Sequence, residues 1–247
     1  MLWYKAWRES RGRFFLAAGA VTMYCLAALV RARTAFPPPE VPLLPYSAFV
    51  WGEFYAPFRA VAFSFIALVL GLGGLQRERG AGTAPFTLAL PVGRGRLVAT
   101  RVLVGLAELI GVALIPIVVV PGLSPVLAHQ IYPASQSVQY AVLFLSWGVV
   151  WFAGGLLWSV LFRGEFTAAT AAVLTPFAYM VVYGATRGDQ RFPVANPFRT
   201  MSGGLDRGVG GRMLLAGPLP WNVMLVLAVV AAVLFALSWR ITDRQSF

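Results

Sequence analysis

The sequence predicts an all-α membrane protein with six transmembrane helices. Three observations carry that prediction. Hydrophobic residues make up 59% of the chain and charged residues only 12%, against roughly 25% charged in a soluble domain. The mean hydropathy is +0.74. The apolar residues gather into runs close to the length that crosses hydrocarbon, about 20 residues. Most of the positive charge, a net +11, flanks those runs, as charge does when it anchors helices at a membrane face. The balance is too oily for a nucleic-acid-binding reading of the basic charge.

The chain opens with MLWYKAWRESRGRFF. Trp3, Trp7 and Phe14 recur near helical spacing, with Lys5, Arg8 and Arg11 between them. That predicts an interfacial helix over 1–13, anchored by Trp3, Trp7, Arg8 and Arg11 at headgroup level. The first span follows at 14–30. It lacks a small-residue cleavage site and reads as a retained helix. A Pro-rich outer connector, AFPPPEVPLLPYSAF, comes next.

The second span is expected at 57–75, with Glu53 and Arg59 as interface charges near its outer end. The third, 97–120, carries Arg101 and Glu108. Between Leu109 and Phe162 the chain has no charged residue, so one helix cannot fill it. Pro121, Gly122, Pro125 and Pro133 mark a turn before a fourth span at 138–162. The fifth, 166–184, is rich in Ala and Thr, which favours close helix approach. The sixth is 220–239, after an outer loop at 185–219 with Pro193, Pro197 and several glycines. The whole chain, 1–247, reads as one transmembrane domain. Backbone groups in lipid must bond internally, so these spans are helices.

Lys5, Arg8, Arg11 and Arg13 put the N-terminus in the cytoplasm. The 76–96 loop and the tail with Arg240 and Arg244 then lie inside too. The loop at 185–219 dissents, since it carries Arg187, Arg191, Arg199, Arg207 and Arg212 yet counts as outside.

The loop at 76–96 is longer than a turn requires. Glu78 follows the second span, and Gly80 and Gly82 break the helix. Thr83 can cap a new helix, with Pro85 in its first turn. Phe86, Leu88 and Leu90 make it apolar, Pro91 and Gly93 end it, and Arg94 and Arg96 precede the third span. A short greasy helix at this place suits docking into a groove. Folding back on the chain's own spans, or dipping into the interface, suits it equally.

The elements E-R-G-A-G-T at 78–83 and L-A-L-P-V-G-R at 88–94, set between the second and third of six spans, resemble the type-2 ABC-transporter permease family. Arg101 stands where that family often has a lysine. The resemblance implies a bacterial inner-membrane exporter. Its cytoplasmic coupling helix docks on a separate ATPase subunit. Two ATPase copies and a second permease, identical or paralogous, complete the assembly. Glu78, Thr83, Phe86, Leu90, Pro91 and Arg94 become the docking residues, and ATP and Mg belong to the partner subunit.

The chain has no G-x-x-x-x-G-K-[ST] stretch, and its only lysine is Lys5. The glycines from Gly71 onward read as close helix packing. One cysteine, Cys25, and one histidine, His129, allow no disulfide and no Cys/His metal site within the chain. No catalytic triad is apparent, so the chain itself is not expected to be an enzyme. Glu108 is a candidate pathway carboxylate. A standalone channel or secondary carrier using Glu108 is the alternative reading.

Overall fold

The structure is a computed structural model and describes residues 2–35, 43–55, 57–72, 93–162, 165–186 and 219–244. Among these residues it is all helical. The α-helices are α1 (Leu2–Ala35), α2 (Leu43–Val50), α3 (Pro57–Gly71), α4 (Arg94–Leu123), α5 (Ala134–Leu161), α6 (Glu165–Thr186) and α7 (Trp221–Arg244). Two π turns, Trp51–Tyr55 and Ser124–Ala128, extend α2 and α4.

Four segments are long and apolar enough to cross a membrane: Leu2–Thr34, Gly95–Ala128, Ala134–Leu161 and Trp221–Arg244. Two shorter apolar stretches, Val61–Gly71 and Phe166–Val182, accompany them. Leu16, Met23, Val118, Phe166, Val181 and Leu225 are all exposed. An exterior this apolar suits hydrocarbon rather than water.

The 1–13 segment is not a separate helix. It runs into the first span without a break. Gly12 is the only helix breaker there, and one glycine costs only about 1 kcal/mol in a helix. The 34 residues of α1 reach about 51 Å, against roughly 30 Å of hydrocarbon. One end of α1 must therefore project beyond the apolar layer.

The helix directions follow from who touches whom. Arg101 of α4 bonds Glu9 of α1, and further along Phe14 lies over Gly111, so α1 and α4 run parallel. Tyr24 bonds Glu53 while Arg13 bonds the Val69 carbonyl, so α3 runs against α1. Tyr55 stacks on Tyr140, and Trp147 donates to Ser64 at 2.8 Å, so α3 and α5 run together. Trp239 sits on Gly95 and Phe235 on Phe152, so α7 ends where α4 begins. Only residues 162–164 separate α5 from α6, which turns α6 back. Tyr179 then meets Trp147 and Trp151.

Directions thus alternate through α1, α3, α4, α5, α6 and α7. One end of the bundle collects the N-terminus of α1, the start of α4 and the end of α7. Lys5, Arg8, Arg11, Arg96, Arg101, Arg240 and Arg244 lie there too. We call it the basic end. The chain leaves α3 toward this end and returns to it at Gly93.

Without a hydrophobic force between helices in lipid, close packing holds them. The α3–α5 pair shows how. A Cβ on Gly155 would run into the Leu68 carbonyl, and one on Gly71 into the Phe152 carbonyl. Glycine at both places lets the two backbones touch. Leu68, Leu109, Val112, Leu143, Trp147 and Phe152 fill the core beside them.

The turn expected from Pro121 lies further on. Pro116 and Pro121 sit inside α4, which continues into the π turn. The Val120 carbonyl accepts both the Ser124 amide and, at 2.6 Å, the Ser124 hydroxyl. Each proline leaves the carbonyl four residues before it without its usual amide donor, which helices packed in a bundle tolerate. The chain breaks at His129, whose φ of 53° lies in the left-handed region. The Pro-rich connector after α1 also contains structure, since α2 begins at Leu43.

Candidate functional site at the basic end

The docking residues expected at Glu78, Thr83, Phe86, Leu90 and Pro91 lie outside the described residues. Arg94 is described only as the first residue of α4. Helix therefore starts three residues before the expected third span. Gly93 has an extended backbone (φ −57°, ψ 138°), and its carbonyl accepts from the amides of Arg96 and Leu97. No side chain caps this helix start.

A polar network joins α1 to α4 at this end. Glu9 accepts from Arg101 at 3.2 Å and lies 3.8 Å from Lys5. One turn apart on a helix, Lys5 and Glu9 share a face. Their pair is partly exposed and worth little, whereas Arg101 is more shielded. Ser10 donates its hydroxyl to Oε1 of Glu108. Arg13 donates to the Val69 carbonyl at 2.9 Å, which ties in α3. A cavity of about 40 Å³ lies among Glu9, Ser10, Arg13, Arg101, Gly71 and Gly105. That is room enough for water.

Glu108 is 2% exposed, and its Oε2 has no hydrogen-bond partner among the described residues. Its partner is Ser10, not Arg101. Spacing along α4 puts Arg101 and Glu108 on one face, but α1 supplies both of their contacts. Glu108 thereby lies level with Ser10, just before the apolar run that begins at Phe14.

Of the expected anchors, Trp3, Arg8 and Arg11 are exposed and Trp7 is half-buried. Trp7 packs on Phe14 at 5.5 Å and on Phe15 at 6.0 Å. Trp3, Tyr4, Trp7 and Phe14 form one wall of a groove of about 520 Å³. Val104, Ala107 and Glu108 of α4 form the other.

The opposite end is built from tyrosines. The Val120 carbonyl takes the Ser124 hydroxyl hydrogen, so Tyr46 is the donor to Ser124 at 2.6 Å. Tyr55 stacks on Tyr140 at 4.6 Å, and Tyr132 packs edge-on against Tyr46. Burial pushes the Tyr46, Tyr55 and Tyr132 phenols up, so they stay neutral. Glu53 is more engaged than a charge in water. It accepts from Tyr24 and Arg31, each at 2.9 Å. Arg59 lies in α3, and nothing further is described of it. An apolar cavity of about 280 Å³ opens between Cys25, Tyr55, Phe63, Pro116 and Phe144.

Ser10 and Glu9 escaped the sequence reading. The available signal was an acid and a hydroxyl set among arginines at the start of a basic helix. In sequence comparison, the chain matches no described protein family and no curated protein.

Proposed function

We propose that the chain is the membrane-spanning permease subunit of an ATP-driven ABC exporter. Six spans would place both termini and the 76–96 loop in the cytoplasm of a bacterial cell. The working assembly would hold two ATPase subunits, which bind ATP and Mg, and a second permease, identical or paralogous. The loop would dock through Glu78, Thr83, Phe86, Leu90, Pro91 and Arg94.

One observation supports the reading above the others. The helix that follows the loop, α4, is tied to α1 through Glu9–Arg101 and Ser10–Glu108. A push on the loop would reach α4 at its first turn and pass into α1 through those contacts. The alternating directions of the six helices and the collection of arginines at the loop's end agree with it. The loop motif and the span order carry the family resemblance itself.

The carrier reading keeps one observation in its favour, the buried Glu108 with an unpartnered oxygen. Its bond to Ser10 fits a relay poorly, and the neighbouring acid, Glu9, is held by Arg101 and Lys5. Purification of the tagged chain from native membranes in mild detergent separates the two readings. The exporter reading expects an ATP-binding subunit and ATP hydrolysis in the purified complex. A chain that purifies alone, yet loses transport on Glu108→Gln, would establish the carrier.

A further inference from the structure

We propose that the apolar cavity between α1, α3, α4 and α5 binds an uncharged aromatic molecule of about two rings, drawn from the bilayer through a gap between α1 and α3. The proposal does not rest on the exporter reading, because one chain builds the whole cavity.

The cavity holds about 280 Å³. Packed interiors have few voids larger than a water molecule, so a space of this size suits an occupant. A dry apolar cavity of about 150 Å³ takes one benzene, and the volume here matches about two rings. No charged residue lines it. The Tyr24 hydroxyl, on its wall, is already given to Glu53 at 2.9 Å. A charged solute would lose its water here without gaining a charged partner.

Five of the lining residues are aromatic: Tyr24, Phe54, Tyr55, Phe63 and Phe144. Tyr24 and Phe144 are half-buried and keep reachable ring surface, while the other three are buried. The rings brace one another. Tyr24 meets Phe54 at 6.0 Å, and Phe144 meets Tyr55 at 5.5 Å and Phe63 at 5.4 Å. The wall is thus set before a ligand arrives, which lowers the cost of binding. Ring-on-ring contact adds to what area burial alone supplies. An acyl chain lacks that gain. Lipid tails are already as apolar as the wall, and a tail held in the cavity gives up rotational freedom. The wall therefore favours rigid rings over the surrounding lipid.

The way in follows from how α1 meets α3. Arg13 ties α1 to the Val69 carbonyl toward the basic end, and Tyr24 ties it to Glu53 toward the other. Between these ties stand Ala20 of α1 and Ala62 of α3, the two exposed members of the lining. Both are small, which leaves a gap between the helices. Ala20 sits inside the uncharged run 14–30, and Ala62 inside the apolar stretch Val61–Gly71. The gap thus opens toward hydrocarbon, where apolar solutes collect.

Photolabelling of the full chain in phosphatidylcholine nanodiscs tests this. Benzophenone, itself two rings, is the probe, and proteolysis with mass spectrometry maps its adducts. Labelling beside Val21, Tyr24 and Phe144 should saturate. Labelling of exposed Leu225 and Val229 on α7, which does not line the cavity, should rise in proportion to the probe. Naphthalene should displace the cavity adducts at a bilayer mole fraction at least about fivefold below that of decalin, its saturated counterpart, or of dodecane. Ala62→Trp and Ala20→Trp, one on each lip, should each abolish the cavity adducts and leave those on α7. If one variant fails to fold, as read by its melting temperature, the other carries the test. Cavity labelling that does not saturate would overturn the proposal. Equal displacement by the three competitors would assign the space to lipid tails and overturn it too. So would cavity adducts that persist in a folded lip variant.

Discussion

Ser10 of α1 donates its hydroxyl to the carboxylate of Glu108 on α4, 98 residues away in sequence. Both residues are at least nine-tenths buried. Beside them Glu9 holds Arg101. Together these contacts make the first half of α4 and the N-terminal part of α1 one mechanical piece.

Ser10→Ala removes the donor and leaves both Glu108 oxygens without a hydrogen bond among the described residues. A buried acceptor left unsatisfied costs about 1–3 kcal/mol, more when charged. The variant should melt measurably lower in detergent. A double-mutant cycle with Glu108→Gln should show coupling of about 0.5–3 kcal/mol, because the residues are in contact. Additive effects would mean the bond contributes nothing.

Gly155→Ala should be among the most damaging small changes, since its Cβ has no room beside the Leu68 carbonyl. Neighbouring Gly154 has open space where a Cβ would go. Gly154→Ala should raise stability by up to about 1 kcal/mol through helix propensity alone. Thermal melts of the two variants, side by side, check the packing of α3 on α5. Similar behaviour of the pair would count against that packing.

Ser64→Ala leaves the buried indole of Trp147 without its acceptor, now 2.8 Å away. A loss of about 1–3 kcal/mol is expected. Arg31→Ala, at a largely exposed ion pair with Glu53, should cost less than about 1 kcal/mol. Denaturation in detergent should rank the two in that order.

The tyrosine end predicts a response to alkali. An unfolded tyrosine ionises near pH 10. Burial raises the folded values of Tyr46, Tyr55 and Tyr132 above that. Their contribution to stability is therefore full below about pH 10 and is lost as pH rises through the folded values. Tyr132→Phe should move alkaline unfolding upward, read as melting temperature against pH. An unchanged or lowered onset would contradict the burial of that phenol.

Each of the six expected helical runs has a helix in the structure, because an apolar run bounded by arginine, glycine or proline is a local signal. The separation of an interfacial helix at 1–13 from the first span had a weaker signal, since basic and aromatic residues mark a membrane face without breaking a helix. Proline was read too strongly at Pro121, since a helix packed among apolar neighbours continues through it. The Glu9–Arg101 and Ser10–Glu108 contacts were illegible for a different reason. They join residues more than ninety positions apart, and no pattern along the chain pairs them. Glu108 illustrates both sides. Its cost inside a span was visible, while its level beside Ser10 came only from the packing of α1 on α4. The tyrosine end was missed because Tyr46 and Tyr55 come from one stretch and Tyr132 and Tyr140 from another, far along the chain.

The central claim is that a separate ATPase grips the 76–96 loop. The most direct measurement is affinity purification of the tagged native chain and of Phe86→Asp from the same membranes, with mass spectrometry of the bound proteins. The account predicts a stoichiometric ATP-binding subunit with the native chain and its loss with Phe86→Asp, at equal chain yield. A native chain that arrives without any ATP-binding subunit, from membranes in which other transporters stay intact, would contradict it.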